Sequence, residues 1–126
     1  MPGEAILIVD DNPLNLKLTR LLLLGEGYDV RTAASAHEAL ELIEKAPPAL
    51  ILMDIQLPDI DGLELTRRLK ANSATHDIIV IALTAYAMLG DENKARAAGC
   101  DGYVAKPIDT RTLPGVLAGY FDQARR

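Results

Sequence analysis

The sequence predicts an α/β fold: a doubly wound, five-stranded parallel sheet with helices on both faces. Three observations carry this. Apolar runs of strand length at residues 5–9, 49–53 and 78–83 are continuous rather than alternating, as in strands covered on both faces. Segments with helical spacing and recognisable ends stand between them. Strand and helix alternate five times, which implies right-handed crossovers and one open parallel sheet. No linker, repeat or low-complexity tract interrupts the 126 residues, so residues 1–126 are expected to form one domain around one core.

The first strand is Ala5-Ile6-Leu7-Ile8-Val9. Asn12-Pro13 follows as an N-cap with proline at the first helical position, and Gly25 or Gly27 closes that helix. Its apolar stripe is expected at Leu14, Leu18, Leu21 and Leu22. Tyr28 to Ala33 alternates and suits a sheet edge. Ser35-Ala36-His37-Glu38 has capping-box spacing, and Pro47-Pro48 stops the second helix. Ala49 to Met53 is the third strand. Asp61 caps a third helix whose apolar side starts with Ile60, Leu65 and Leu69. Ile78 to Leu83 is the fourth strand, and Asp91 to Ala98 is a fourth helix ended by Gly99. Gly102-Tyr103-Val104-Ala105 is short and suits the other edge. The last helix runs from Thr112 to Gln123, which puts Pro114 in its first turn, where no backbone hydrogen bond is lost. Three apolar central strands between two weaker edges fit the order 2-1-3-4-5.

Composition excludes several classes of function. With 13 basic against 18 acidic side chains, the formal charge is −5, which opposes binding to a phosphate backbone. The basic clusters Arg67-Arg68-Lys70 and Arg125-Arg126 are expected to be solvated helix faces or ends. The chain has no Trp and one Phe, so it lacks a stacking platform for single strands. No apolar run approaches the ~20 residues that span a bilayer, and Glu4 precedes the first run where a leader would be apolar. A lone Cys100 makes neither an internal disulfide nor a cysteine-based zinc site. No nucleic acid, no membrane and a cytoplasmic location are expected.

In such a sheet, function collects where strands end beside the switch point. Asp10 and Asp11 follow the first strand, Asp54 the third, Thr84 the fourth, and Lys106-Pro107 the fifth. Taken singly, each has a plain structural role: a helix cap, a turn residue, a local backbone bond, a solvated lysine. Their joint placement on one rim points to chemistry. Three neighbouring carboxylates repel, and need protons or a cation at neutral pH. Oxygen-only donors favour a hard ion such as Mg²⁺, which is held by one or two carboxylates plus waters and phosphate. A nearby ammonium and hydroxyl make the rim suited to receiving a phosphoryl group. His37 and His76 fall on a helix and a loop away from it, and no phosphate-cradling glycine motif follows the first strand. Asp59-Ile60-Asp61-Gly62 lacks the downstream Glu of a calcium loop and is taken as the turn into the third helix.

The residues resemble the receiver domain of bacterial two-component response regulators, a flavodoxin-like fold. The likeness rests on Ile6 to Asn12, Leu50 to Pro58, Ile81 to Ala85, and Gly99-Cys100-Asp101-Gly102-Tyr103 with Lys106-Pro107. It covers essentially the whole chain. Through Asp54-Ile55-Gln56-Leu57-Pro58 and Met88-Leu89-Gly90-Asp91 it is most similar to single-domain members of the DivK kind. The resemblance implies that Asp54 accepts a phosphoryl group from a phosphohistidine, on a histidine kinase or a histidine phosphotransfer protein. It implies that Asp11, Asp54 and the Gln56 backbone carbonyl ligate Mg²⁺, with Asp10 acting through water. Thr84 and Lys106 would hold the phosphoryl oxygens, small Ala85 would leave access, and Tyr103 would be the aromatic switch. The Lys106-Pro107 bond would be cis.

The expected function is a phosphorylation-switched binding module, a monomer without an output domain of its own. It is not an enzyme, beyond catalysing its own phosphorylation and dephosphorylation. Its target would bind on the face of helix four, strand five and helix five. A Mg²⁺-dependent aspartyl phosphohydrolase is the enzymatic alternative, but the position for its second carboxylate holds Gln56. A constitutive adaptor is the third, although every expected site residue is present. Gln56 and Tyr86 flank the path of a hydrolytic water, and neither is an acid, so slow self-dephosphorylation is expected.

Overall fold

A computed structural model describes residues 3–84 and 90–124 of the chain. Ala85, Tyr86, Met88 and Leu89, singled out above, and the basic tail Arg125-Arg126 lie outside them. The described elements alternate from β1 (Ala5–Val9) through α1 (Pro13–Gly25), β2 (Asp29–Ala33), α2 (Ala36–Lys45), β3 (Leu50–Asp54), α3 (Gly62–Ala71), β4 (Ile79–Thr84), α4 (Asp91–Ala98) and β5 (Gly102–Ala105) to α5 (Leu113–Ala124). All four strand pairings are parallel, in the order β2-β1-β3-β4-β5. This is the expected fold.

Successive side chains of a strand face opposite sides, so each apolar run feeds two cores. Leu7, Val9, Ile51, Met53, Val80 and Ala82 meet Ala39 and Ile43 of α2, Leu65 and Leu69 of α3, and Ala95 of α4. Their neighbours Ile6, Ile8, Leu50, Leu52, Ile81 and Leu83 meet Leu23 of α1 and Leu113, Leu117 and Phe121 of α5. Tyr28 stacks on Phe121 with ring centroids 5.7 Å apart, joining the entry to β2 to the last helix.

Local signals act as their chemistry requires. The Asn12 side chain accepts from the Leu14 and Asn15 amides, and Pro13 occupies the first helical position. The Ser35 hydroxyl accepts from the Glu38 amide, and Asp61 accepts from Leu63. Gly99 closes α4 at φ +103°, a left-handed conformation that suits glycine. Pro114 sits in the first turn of α5, as expected.

Three expectations need correction. Leu14, Leu18 and Leu21 are 62, 52 and 53% exposed, and α1 instead buries Thr19 and Leu23 with Leu16 and Leu22 beside them. Seven leucines on one helix place apolar residues on both faces, so spacing alone does not select the inner one. Asp54 and Thr84 do not follow their strands but end them, each paired in the ladder through its backbone. Lys70 is no solvated lysine: its ammonium bonds the His76 and Ile78 carbonyls and Asp101 Oδ2, tying α3 to the loops at the far end of the sheet.

Candidate functional site

The order of strands reverses between β1 and β3, and the loops after these two strands diverge there to leave a cleft. Asp10 leaves β1 with its amide bonded to Ala33 O, and its Oδ1 accepts from the Asn12 amide at 2.9 Å. Asp54 ends β3, and its Oδ1 accepts from the Gln56 amide at 3.1 Å. Lys106 follows β5, its amide bonded to Thr84 O at 2.7 Å, so the ends of β4 and β5 are locked together. The Lys106-Pro107 bond is cis.

Side chains converge from these anchors. Lys106 Nζ lies 3.0 Å from Asp54 Oδ2 and 3.6 Å from Asp10 Oδ2. Asp10 and Asp54 are 1 and 4% exposed, whereas Asp11 is open to solvent. Both oxygens of Asp54 therefore have partners, which fixes the carboxylate's orientation. Burial pushes the Asp54 carboxyl above its ordinary range. The hydrogen bond and charge of Lys106 and the Gln56 amide pull the other way.

Ligand oxygens of Asp10, Asp11 and Asp54 all lie within 4.8 Å of one another. Three carboxylates against the one ammonium of Lys106 leave two negative charges, the charge of one divalent cation. The donors are all oxygen, so the residues fit a hard cation.

Beside this cluster, Asp54, Ile55, Gln56, Leu83, Thr84, Asp91 and Lys106 line a cleft of about 90 Å³. Of the site residues named from the sequence, Asp10, Asp11, Asp54, Gln56, Thr84 and Lys106 lie on this rim or line this cleft, and Tyr103 does not; Ala85 and Tyr86 lie outside the described residues. Tyr103 is half-buried on β5, packs against the core on the α2–α4 side, and hydrogen-bonds Glu92. A roomier hollow of about 440 Å³, between the ends of α2 and α3, is lined largely by Leu40, Ile43, Pro47 and Leu69 and lacks such a cluster.

Two contacts near the site escaped the sequence. Asp59 caps α2 from a distance, its Oδ1 and Oδ2 accepting from the Ala36 and His37 amides at 3.0 and 2.9 Å. The Thr84 hydroxyl donates to Asp91 Oδ2, on the first residue of α4. Both acids also suit a turn or a helix start, and only the tertiary fold reveals their partners.

The family model for the response regulator receiver domain matches residues 6–118. The chain is 44% identical over 121 residues to the polar-differentiation response regulator DivK of Brucella ovis, covering 96% of this chain and 98% of the relative. Among solved structures, it is similar to a CheY-like response regulator receiver domain protein from Methanospirillum hungatei. That likeness has a TM-score of 0.90 and 36% identity, covering 98% of this chain and 97% of that one. The receiver domain of the sensor histidine kinase PA1611 from Pseudomonas aeruginosa, solved with magnesium in its active-site cleft, aligns at TM-score 0.86. It is 36% identical, with 94% of this chain and 97% of that one covered.

Proposed function

Because the chain belongs to the response regulator receiver domain family of two-component signalling, we propose that Asp54 is its phosphoacceptor and that phosphorylation there switches its protein contacts. The observation that carries this is the Lys106–Asp54 pair: a buried, doubly held carboxylate with an ammonium 3.0 Å away at the mouth of a small polar cleft. The donor is a phosphohistidine on a histidine kinase or a histidine phosphotransfer protein.

In the transfer step an Asp54 oxygen forms a P–O bond while the donor's P–N bond breaks. The imidazole nitrogen keeps that electron pair and takes up a proton as it leaves. Lys106, already beside Asp54 Oδ2, pairs with the oxygens of the arriving group. Thr84, which lines the same cleft, supplies a hydroxyl. Held by Asp11, Asp54 and the Gln56 carbonyl, with Asp10 acting through water, Mg²⁺ would offset the charge of the phosphoryl oxygens. The chain acts here as a phosphoacceptor and not on a separate substrate. Its product is a changed surface of α4, β5 and α5, offered to a protein target in the cytoplasm.

Phosphotransfer from a radiolabelled histidine phosphotransfer protein tests the proposal. Wild type should take the label, and Asp54→Asn should take none. Lys106→Ala should be labelled about a hundred-fold more slowly, as for loss of one charge-stabilising donor. Labelling of Asp54→Asn at the wild-type rate overturns the assignment.

A further inference from the structure

The cleft beside Asp54 holds a second carboxylate, that of Asp91. Thr84 O accepts the Lys106 amide, and Leu83 O accepts the Ile55 amide, so the backbone at the end of β4 is pinned from both neighbouring strands. The Thr84 hydroxyl is left as a one-bond rotor. In this structure that rotor donates to Asp91 Oδ2, while Asp54 and Asp91 line the same cleft of about 90 Å³. A phosphoryl group on Asp54 would be a rival acceptor for this hydroxyl, because Thr Oγ1 has one proton to donate. The next residue along acts similarly: Glu92 accepts from the Tyr103 hydroxyl and lies 3.9 Å from Arg96 Nε. One turn of α4 thus holds the end of β4 and the aromatic ring on β5.

We infer that Asp91 is a positioning residue, the acceptor that holds the Thr84 hydroxyl and ties the start of α4 to β4 until a phosphoryl group on Asp54 outcompetes it. This rests on Asp54 being the phosphoacceptor. The energetic consequence is direct. Every contribution of the Thr84–Asp91 bond favours the unphosphorylated arrangement, so phosphorylation must supply enough differential affinity to overcome it. The bond also explains how rotation of a single side chain releases a whole helix: it is a cross-link between a strand end and the first residue of α4. The helix has no side-chain cap of its own, since Gly90 precedes it.

The test separates this role from that of an acid placed at a helix N-terminus, where Asp91 would stabilise α4 with or without Thr84. Amide hydrogen exchange of residues 94–98 is measured, without phosphodonor, in wild type, Thr84→Val, Asp91→Ala and the double variant. Exchange should be about ten-fold faster in either single variant, of the order expected for a hydrogen bond to a charged acceptor, and no faster in the double. Asp91→Asn, which keeps an acceptor oxygen, should restore most of the protection. An Asp91→Ala effect that is the same with Thr84 intact and in the Thr84→Val background, or no effect at all, overturns the inference. In parallel, acetyl phosphate with Mg²⁺ should label Asp91→Ala at lower concentrations than wild type. Absence of label in wild type would refute Asp54 as acceptor, while the exchange cycle would still decide the Thr84–Asp91 bond.

Discussion

At Gly62 the close approach is to the site itself. A Cβ added there would lie 2.1 Å from Asp54 O and 3.0 Å from Ile55 Cα, both backbone atoms that cannot swing aside. Gly62→Ala should therefore push the end of β3 away from α3, costing about 1–3 kcal/mol in urea unfolding. It should also slow labelling of Asp54, because a shift of the end of β3 moves Asp54 and the Gln56 amide away from Lys106, which is anchored on β4 instead. Asp59 gives a pH prediction. The Ala36 and His37 amides hold its carboxyl below the ordinary value of 3.8, so it binds fewer protons folded than unfolded. Its contribution to stability is present above that value and fades as pH falls through the lowered one. Asp59→Asn should lower Tm at neutral pH, and the difference from wild type should shrink as the pH is brought down through this window. A constant difference across the titration would contradict the charged cap.

At the scale of elements, α1 separates what the sequence determines from what it leaves open. Its start was legible because Asn12-Pro13 has one good use, as a cap and a first helical residue. Its inner face was not, because Leu14, Leu18 and Leu21 repeat at a helical spacing as good as that of Leu16, Thr19 and Leu23. Shape complementarity to the sheet, which no spacing encodes, selects the second set. Leu23→Ala should cost about 2–5 kcal/mol, whereas Leu18→Ala should change stability by no more than about 0.5 kcal/mol. Equal losses would contradict the observed face. The continuous runs of β1, β3 and β4 were legible for the opposite reason. They carry apolar residues at both parities, and a strand with two buried faces is the economical way to satisfy that pattern. Site residues placed by those strands, Asp10, Asp11, Asp54 and Thr84, came with them, and Lys106 came with the short edge strand β5. Contacts made by loops and helix starts, such as Asp59 with α2 and Asp91 with Thr84, depend on how separate elements dock and stayed hidden.

For the whole molecule, one rim of the sheet carries the carboxylates and Lys106, Thr84 bonds from that rim to the first residue of α4, and the proposed route to the α4–β5–α5 face runs through Thr84 and Tyr103, whose hydroxyl bonds Glu92. A phosphoryl group adds about −1.5 to −2 charges and strong acceptor oxygens to this rim. Arrangements differing by a few kcal/mol are then reweighted rather than created. Thr84→Ala should still accept phosphate at Asp54 yet lose most of the change in affinity for a target on that face. Equal responses from phosphorylated wild type and phosphorylated Thr84→Ala would sever Thr84 from the readout. The most direct measurement of the central claim comes before any target is known: intact-mass spectrometry after incubation with acetyl phosphate, with Mg²⁺ or with EDTA. Wild type should gain the mass of one phosphoryl group with Mg²⁺ and not with EDTA, and Asp54→Ala should gain none. Equal uptake by Asp54→Ala, or equal uptake by wild type in EDTA, would contradict a cation-assisted phosphoacceptor at Asp54.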